Sequence, residues 1–279
     1  MKTLVFLIVP CILFLFSCQK EISVETNSAG GGGGSTAGNK LVRVVTRVGA
    51  DSFNSVYTYT GANLINSFIQ SGNFSGVPVT VEIRAVRNSA NVITSTVFKS
   101  NVLSQFGLDS VTVNHIYDAA SARYKYSISR ITIFGFTDTD SAVYNYDASG
   151  KLSSGISYID DGTGYRPSSK EEYTYSGANL ANTKSYEWDD ASNNFDLLEN
   201  VTYEYDAKIN PLSFPKDAPV LGMNIFYSAN NPTKITTVET ITPSTTIQTA
   251  TYTYNANNRP VTATTSASGI TNTNTYYYQ

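Results

Sequence analysis

The stretch Tyr144-Asn145-Tyr146-Asp147-Ala148-Ser149-Gly150-Lys151-Leu152 decides the fold, because the chain repeats it with variations. Side chains alternate between the two faces of a strand, so the two tyrosines share one face. Asp147 suits the entry to a turn because its carboxylate accepts hydrogen bonds from nearby backbone N–H groups. Gly150 accepts the left-handed conformation that a tight turn needs. The stretch therefore predicts a strand, a turn and the start of the next strand.

The phrase recurs along the chain at intervals typical of a repeat architecture. Its other copies begin at Tyr57, Tyr173, Tyr203, Ile225 and Tyr252. Turn residues also follow the second strand of a repeat, at 160–164 and 189–194, so each repeat reads as a hairpin. Open sheets rarely pass about ten strands without curling or splitting. The sequence predicts one all-β domain over residues 41–279, an antiparallel meander of about 14–16 strands in a long curved sheet, wrapped toward a barrel or folded into two layers.

The phrase resembles the YD repeat, named for its Tyr-Asp pair and found in large bacterial toxins and surface proteins. Residues 144–152 carry the best match. The degenerate run resembles repeat-bearing Gram-negative lipoproteins whose function is undefined. The chain is too short for the closed shell of the toxins, so the resemblance is not expected to carry their activity.

The N-terminus ends a short apolar run with Leu15-Phe16-Ser17-Cys18. The run is too short to span a bilayer but long enough for the apolar region of a signal peptide. This layout resembles the lipobox of bacterial lipoproteins. The resemblance implies a signal peptide over residues 1–17 and lipidation of Cys18. The alternatives are an ordinary secretory signal and a short membrane helix.

The residues after Cys18 suggest where the protein is held. Gln19 stands where the inner-membrane retention signal of lipoproteins has Asp. The resemblance therefore implies attachment to the outer membrane, either at the cell surface or on the periplasmic face of that membrane. Residues 18–40 are rich in Gly and Ser, including Gly30 to Gly34, and offer little to bury. They therefore predict a flexible linker between the lipid and the domain.

Composition excludes several classes of function. The net charge of −3 lacks the basic excess typical of nucleic-acid binding. The lipobox resemblance implies that Cys11 is removed with the signal peptide and that Cys18 carries the lipid, which would leave no thiol for disulfides, metal binding or catalysis. His115 is the only histidine, which argues against a zinc site or a Ser-His-Asp triad. We expect no cofactor and no enzymatic activity.

Half of the acidic residues lie within residues 160–206. Paired carboxylates there would suit glycoside hydrolysis, whereas Asp-Asp pairs at equivalent repeat positions favour plain turn chemistry. The alternation of Asp190, Asn194 and Asp196 gives a weak calcium pattern. It lacks the glycine and the bidentate glutamate of a calcium loop, so no metal site is expected.

Four aromatic side chains flank these acidic loops and are the candidate ligand-binding residues, because loops on a rigid scaffold often bind ligands. They are Tyr158, Tyr165, Tyr186 and Trp188. The alternative is that they cap the core. The sequence favours an outer-membrane-anchored lipoprotein with a non-catalytic binding or scaffold role toward a protein partner or a glycan. A glycan-active hydrolase using residues 160–206 and a passive structural spacer are the alternatives.

Overall fold

The computed structural model describes residues 39–74, 76–133, 135–160 and 162–279. The predictions for the signal peptide, for Cys18 and for nearly all of the linker lie outside these residues. The strands are β1 (Leu41–Val48), β2 (Asp51–Tyr59), β3 (Ile65–Phe74), β4 (Val77–Arg87), β5 (Ile93–Ser100), β6 (Val111–Asp118), β7 (Arg123–Ile133), β8 (Phe136–Tyr146), β9 (Leu152–Asp160), β10 (Arg166–Ser176), β11 (Asn179–Asp189), β12 (Asn194–Ile209), β13 (Asn230–Glu239), β14 (Ser244–Tyr254), β15 (Pro260–Ala267) and β16 (Ile270–Tyr278).

The sixteen strands form a closed antiparallel barrel. Each strand pairs with the next one along the chain, and β16 returns to pair with β1, with Val44 opposite Tyr276. Closure removes the exposed edges that an open sheet of this length would present. The predicted all-β meander of hairpin repeats is therefore confirmed, and it is wrapped into a barrel rather than folded into two layers.

Alternation along the strands separates an inner from an outer wall. Inward positions hold the core, including Tyr57, Phe68 and Tyr124, all less than a tenth exposed. The intervening outward positions include the exposed Val86 and Ile247. The first tyrosine of a repeat is thus a core residue, as the shared face of the two tyrosines predicts.

The repeated phrase forms the same turn in several hairpins. In the best copy, Asp147 Oδ1 accepts the backbone N–H groups of Ser149 and Lys151 at 2.8 and 2.9 Å, and Gly150 has φ 88°. The register slips by one residue just before the second tyrosine, between Asn145 and Tyr146. The same slip precedes Tyr59, Tyr175 and Tyr254. This β-bulge re-aims the second tyrosine toward the rim, where it is half-buried.

One predicted copy of the phrase is not a strand. Residues 210–229, between β12 and β13, form an insert with a short helix α1 (Ala218–Leu221) and a 3₁₀ turn at Asn224–Tyr227. The segment that begins at Ile225 belongs to that turn. Its aromatic side chains Phe226 and Tyr227 are buried, so the aromatic spacing there serves packing of the insert rather than strand alternation. No helix in the described part of the chain is long and apolar enough to cross a membrane.

Candidate functional site

The two ends of the barrel carry different loops, and the candidate sites are located relative to these two ends. The plugged end carries the tight turns 60–64, 147–151 and 255–259 together with the insert 210–229. The far end carries the connections that include 162–165 and 190–193. The insert packs against inward-facing side chains: Phe214 lies 6.3 Å from Tyr59 between ring centroids, and Tyr227 lies 5.4 Å from Tyr173. The insert therefore fills the barrel interior at the plugged end.

Three of the four predicted ligand-binding aromatics lie on the outer wall near the far end. Strand pairing sets Trp188 opposite Phe195, Tyr186 opposite Leu197 and Tyr158 opposite Pro167. These outward-facing side chains, half-buried among themselves, form what we call the wall patch: Tyr158, Pro167, Tyr186, Trp188, Phe195 and Leu197. The alternative interpretation of the sequence is that these aromatics cap the core. It is wrong for Tyr158, Tyr186 and Trp188, because their strand positions face away from the interior.

Stacking and hydrogen bonds hold the wall patch in place. The rings of Trp188 and Phe195 meet edge to face with centroids 5.0 Å apart. The ammonium of Lys170 lies 4.5 Å from the ring centroid of Tyr186, a cation–π contact. The Tyr186 hydroxyl donates to Glu172 Oε2 at 2.7 Å. Burial and then this glutamate raise the pKa of Tyr186 to about 12, so the phenol stays neutral and keeps its hydrogen bond to Glu172.

The fourth predicted residue, Tyr165, stands in the loop before β10 and is 55% exposed. It is not part of the wall patch. The neighbouring Arg166 reaches Asp190 in the connection between β11 and β12, with 3.6 Å between the charged atoms. This contact brings the two acidic loops together at the far end.

Two loop carboxylates of this segment, Asp160 and Asp189, are engaged in turn structure. Asp160 Oδ1 accepts the backbone N–H groups of Gly162 and Gly164 at 2.9 and 3.0 Å. Asp189 accepts those of Ala191 and Ser192, and these hydrogen bonds lower the pKa of Asp189. These are the local side-chain bonds that Asp forms in turns.

Other carboxylates of the same segment face the lumen toward the far end. Glu171 and Glu199 lie on the inward faces of β10 and β12, and Glu239 lies opposite Glu199 on β13. Burial, followed by repulsion from Glu239 and Glu171, raises the pKa of Glu199. Across the described residues, no group of three or more His, Cys, Asp or Glu side chains is placed to hold a metal ion. The calcium candidates do not converge: Asp190 pairs with Arg166, Asn194 begins β12 opposite Asp189, and Asp196 lies on the inner wall.

Sequence reasoning missed two further inward features. Asp138 and Asp140 on β8 face the lumen opposite Ile131 and Ser129, and burial followed by the charge of Asp138 raises the pKa of Asp140 to about 6. The alternation Thr137-Asp138-Thr139-Asp140 signals one shared face, but it does not reveal that this face is the interior.

The second missed feature is a buried hydrogen-bond chain through His115. Its Nε2 lies 3.0 Å from Thr96 Oγ1, its Nδ1 lies 2.6 Å from Ser127 Oγ, and Ser127 Oγ lies 2.8 Å from the Tyr144 hydroxyl. Burial lowers the pKa of His115 to about 4, so the ring is neutral near pH 7. With His115 and Ser127 both less than a tenth exposed, the arrangement satisfies buried polar groups and presents no accessible nucleophile.

Comparison with known proteins yields a fold and no family. No family model matches the chain, and no curated protein matches it. The fold is similar to that of a porin-like protein from Bacteroides uniformis ATCC 8492, with TM-score 0.53 and 13% identity over 87% of this chain and 98% of that one. It is also similar to that of a porin-like protein from Bacteroides vulgatus ATCC 8482, with TM-score 0.53 and 12% identity over 86% of this chain and 98% of that one. At this identity the likeness extends to the barrel alone.

Proposed function

We propose that this protein is a lipid-anchored barrel of the outer membrane that stands in water and binds a protein partner or a glycan without catalysis. The observation that carries the proposal is the polar outer wall. A barrel that spans a bilayer presents an outward apolar band about 25 Å tall, flanked by aromatic girdles. Here, the middle of the outward strand faces includes Arg84, Arg130 and Thr251 among apolar side chains such as Ile69 and Ile128, so the wall has no continuous apolar band.

Charged residues lie on the outward faces of strands all around the barrel. They include Arg43 on β1, Arg84 on β4, Arg130 on β7, Lys184 on β11 and Lys234 on β13. A single Arg or Lys facing lipid at the bilayer midplane costs about 2–4 kcal/mol. A wall with this many charges therefore favours water on its outer side.

Threonine dominates the outward faces of β14, β15 and β16, with Ile247 as an exposed apolar residue among them. Thr249, Thr251 and Thr253 alternate with inward Ala250 and Tyr252 on β14, and the outward faces of β15 and β16 continue the pattern. Thr suits a strand and hydrogen-bonds to water. The barrel resembles that of the porin-like proteins, whereas these outward side chains support the proposal of an outer wall in contact with water.

The start of the described chain indicates how the barrel is oriented toward its anchor. Lys40 pairs through its backbone with Gln279, and Asn39 Oδ1 accepts Arg259 Nε at 3.4 Å, both at the plugged end. A Gly-rich linker of about 22 residues has a mean reach of about 25 Å. An anchor at Cys18 would therefore hold the plugged end near the membrane and turn the far end, with the wall patch, away from it.

The wall patch is the proposed contact surface. It groups aromatic and aliphatic side chains around Lys170 on a rigid strand surface, and aromatic anchors dominate the energy of protein interfaces. A passive spacer needs no such patch. A hydrolase would need two carboxylates held about 5–10 Å apart in a cleft, and the lumen-facing Asp138 and Asp140 on β8 are the pair whose substitution would test that alternative.

The test of the proposal is the behaviour of the Cys18→Ala variant. We expect the variant to leave the membrane fraction and to remain monodisperse in buffer without detergent. A Gln19→Ala variant is the matched control and should stay membrane-bound. If the Cys18→Ala barrel aggregates unless detergent is present, the outer wall faces lipid and the proposal is wrong.

A further inference from the structure

A cavity of about 410 Å³ lies at the plugged end, between the turn 147–151 and the insert. Its floor is formed by Leu152 and by the rings of Tyr146 and Tyr175, and one side is formed by the insert. The volume falls within the range of about 300–1,000 Å³ that small-molecule sites occupy. It is separate from the wall patch, which lies near the other end of the barrel.

Three cations line this cavity, and none has an ion pair among the described residues. They are Arg123, Lys151 and Lys216. The guanidinium of Arg123 lies 5.2 Å from the ring centroid of Tyr146, and the ammonium of Lys151 lies 5.1 Å from that of Tyr175. The rings thus support the cations without neutralising them.

The nearby carboxylates are used elsewhere. Asp147 accepts hydrogen bonds from the backbone of its own turn, at Ser149 and Lys151. Asp217 is paired with Arg87 beneath the insert. Among the described residues, no carboxylate lines the cavity. The lining itself therefore carries three positive charges, while the nearest unpaired negative charge among the described residues is that of Asp147, next to Tyr175.

Part of the polar lining is already hydrogen-bonded, since the Tyr124 and Tyr146 hydroxyls donate to Asp217 and to the Tyr124 carbonyl, and the Lys151 ammonium donates to the Gly177 carbonyl. The remaining groups lack a partner among the described residues. Within the described part of the chain, the hydroxyls of Tyr175, Tyr227 and Ser213 have no hydrogen-bond partner, and the side chains of Arg123 and Lys216 donate no hydrogen bond. Tyr227 is buried, Arg123, Ser213 and Tyr175 are half-buried, and Lys216 is exposed. A ligand that brings acceptors would suit the buried and half-buried donors among them. The lining therefore selects for a molecule with a negative charge and several oxygen atoms.

We propose that this cavity binds a uronate-type acidic sugar, with the carboxylate held by Arg123 and Lys216. The planar guanidinium matches a carboxylate through two parallel hydrogen bonds. The phenol and serine hydroxyls then meet the hydroxyls of the sugar ring, and the tyrosine rings supply the apolar wall that a sugar face contacts. A recessed cavity of this size can hold one or two sugar rings, whereas a flat membrane surface could not reach into it.

The test uses the full chain in detergent and isothermal titration calorimetry with digalacturonate. The matched neutral probe is the disaccharide of galactose, which differs by lacking the carboxylates. We expect digalacturonate to bind at least tenfold more tightly than the neutral disaccharide, and more weakly as salt rises. The Lys216→Gln variant, at an exposed insert position, should lose at least threefold in affinity, and the Arg123→Gln/Lys216→Gln variant at least tenfold.

Two controls separate this site from others. The Lys234→Gln variant removes a cation of the outer wall and should bind digalacturonate as the parent does. The Trp188→Ala variant alters the wall patch and should also leave this affinity unchanged, so failure here and failure of the wall patch are distinguishable. Thermal melting checks that each variant is folded.

Three results would overturn the proposal. Equal affinity of the parent and the Arg123→Gln/Lys216→Gln variant would remove the cavity as the site. Inorganic phosphate that displaces digalacturonate with equal affinity would reduce the site to a plain anion site. Binding to vesicles with anionic lipids that is lost in the same variant, without binding of digalacturonate, would assign these cations to the membrane surface.

Discussion

Arg87 Nη2 donates a hydrogen bond to Asp217 Oδ2 at 2.7 Å inside the barrel, with the two side chains 6% and 4% exposed. Arg87 ends β4, and Asp217 precedes α1 in the insert. Arg87 also donates to the backbone carbonyl groups of Ile65 and Asn91, while Tyr124 donates to Asp217 from β7. One buried ion pair thus ties the plug to two parts of the barrel wall.

The Asp217→Asn variant should destabilise the protein by about 3–5 kcal/mol, because it leaves the buried charge of Arg87 without its partner. The matched control is Glu204→Gln, which breaks the exposed pair of Lys234 and Glu204 on the outer wall and should cost less than about 1 kcal/mol. Urea unfolding followed by circular dichroism measures both. Equal costs would show that the insert does not depend on this pair.

His115 should make stability fall on acidification. Burial lowers its pKa from 6.5 to about 4, so the unfolded chain binds the proton more readily than the folded one. The stabilisation is complete above pH 6.5 and is lost as the pH falls toward 4, by up to about 3 kcal/mol. The His115→Gln variant, which removes the titrating ring, should lack this slope.

Asp140 gives a slope of the opposite sign in the same window. Its pKa is raised to about 6, so its contribution is present at low pH and is lost as the pH rises through 6. The parent and the His115→Gln variant are therefore best compared with Asp140→Asn present in both proteins. An unchanged slope in the His115→Gln protein would show that His115 is not held neutral by the fold.

Gly72 and Gly155 give a matched pair of substitutions on inward strand faces. A Cβ at Gly72 would lie 2.5 Å from Phe53 Cδ1 and 2.5 Å from the Ser52 carbonyl oxygen. A Cβ at Gly155 would meet only Tyr144 Cδ1, at 4.0 Å. We expect Gly72→Ala to cost about 1–3 kcal/mol and Gly155→Ala to stay within about 0.5 kcal/mol. Thermal melting tests the order, and a reversed order would contradict the packing around Phe53.

The sequence could predict the antiparallel meander, though not its closure, because the signal for each hairpin is local and repeated. The pattern around Tyr144 and Asp147 specifies a strand face and a turn, and the turn bonds occur as expected. The sequence did not predict the insert, because the segment at Ile225 has the aromatic spacing of a strand. The insert is instead held in place by tertiary contacts of Asn210 and Asp217. Asn210 Nδ2 donates to the carbonyl groups of Ile225 and Ser228, a tertiary contact that spacing does not reveal.

The candidate sites show the same limit. Alternation correctly groups Tyr186 with Trp188, but it does not reveal which face of the strand meets solvent, because Tyr serves both walls of this barrel. The cations of the plugged-end cavity come from separate hairpins and from the insert: Arg123 starts β7, Lys151 ends a turn and Lys216 precedes α1. Only closure of the barrel brings them together.

The wall patch can be tested through Trp188, the only tryptophan of the chain. A ligand that contacts the patch should change its emission, because the indole lies half-buried against Phe195. We expect a bound polysaccharide or partner to shift the emission and to lose at least tenfold in affinity in the Trp188→Ala variant. Tyr277→Ala, an outward tyrosine on β16, is the control and should bind normally. Unchanged emission across a panel of surface polysaccharides, together with an unchanged pull-down, would rule out the wall patch as a binding surface and favour the passive spacer.

The most direct test of the water-facing wall is cysteine labelling in membrane fragments. Thr251→Cys and Arg84→Cys place single thiols at the middle of outward strand faces, Ala191→Cys places one in a loop, and Ser127→Cys places one in the buried interior. The account predicts that a charged, water-soluble maleimide labels the two outward positions as readily as the loop position and leaves the Ser127 position unlabelled until unfolding. Protection of positions 251 and 84 in membranes, with labelling only after detergent is added, would contradict it.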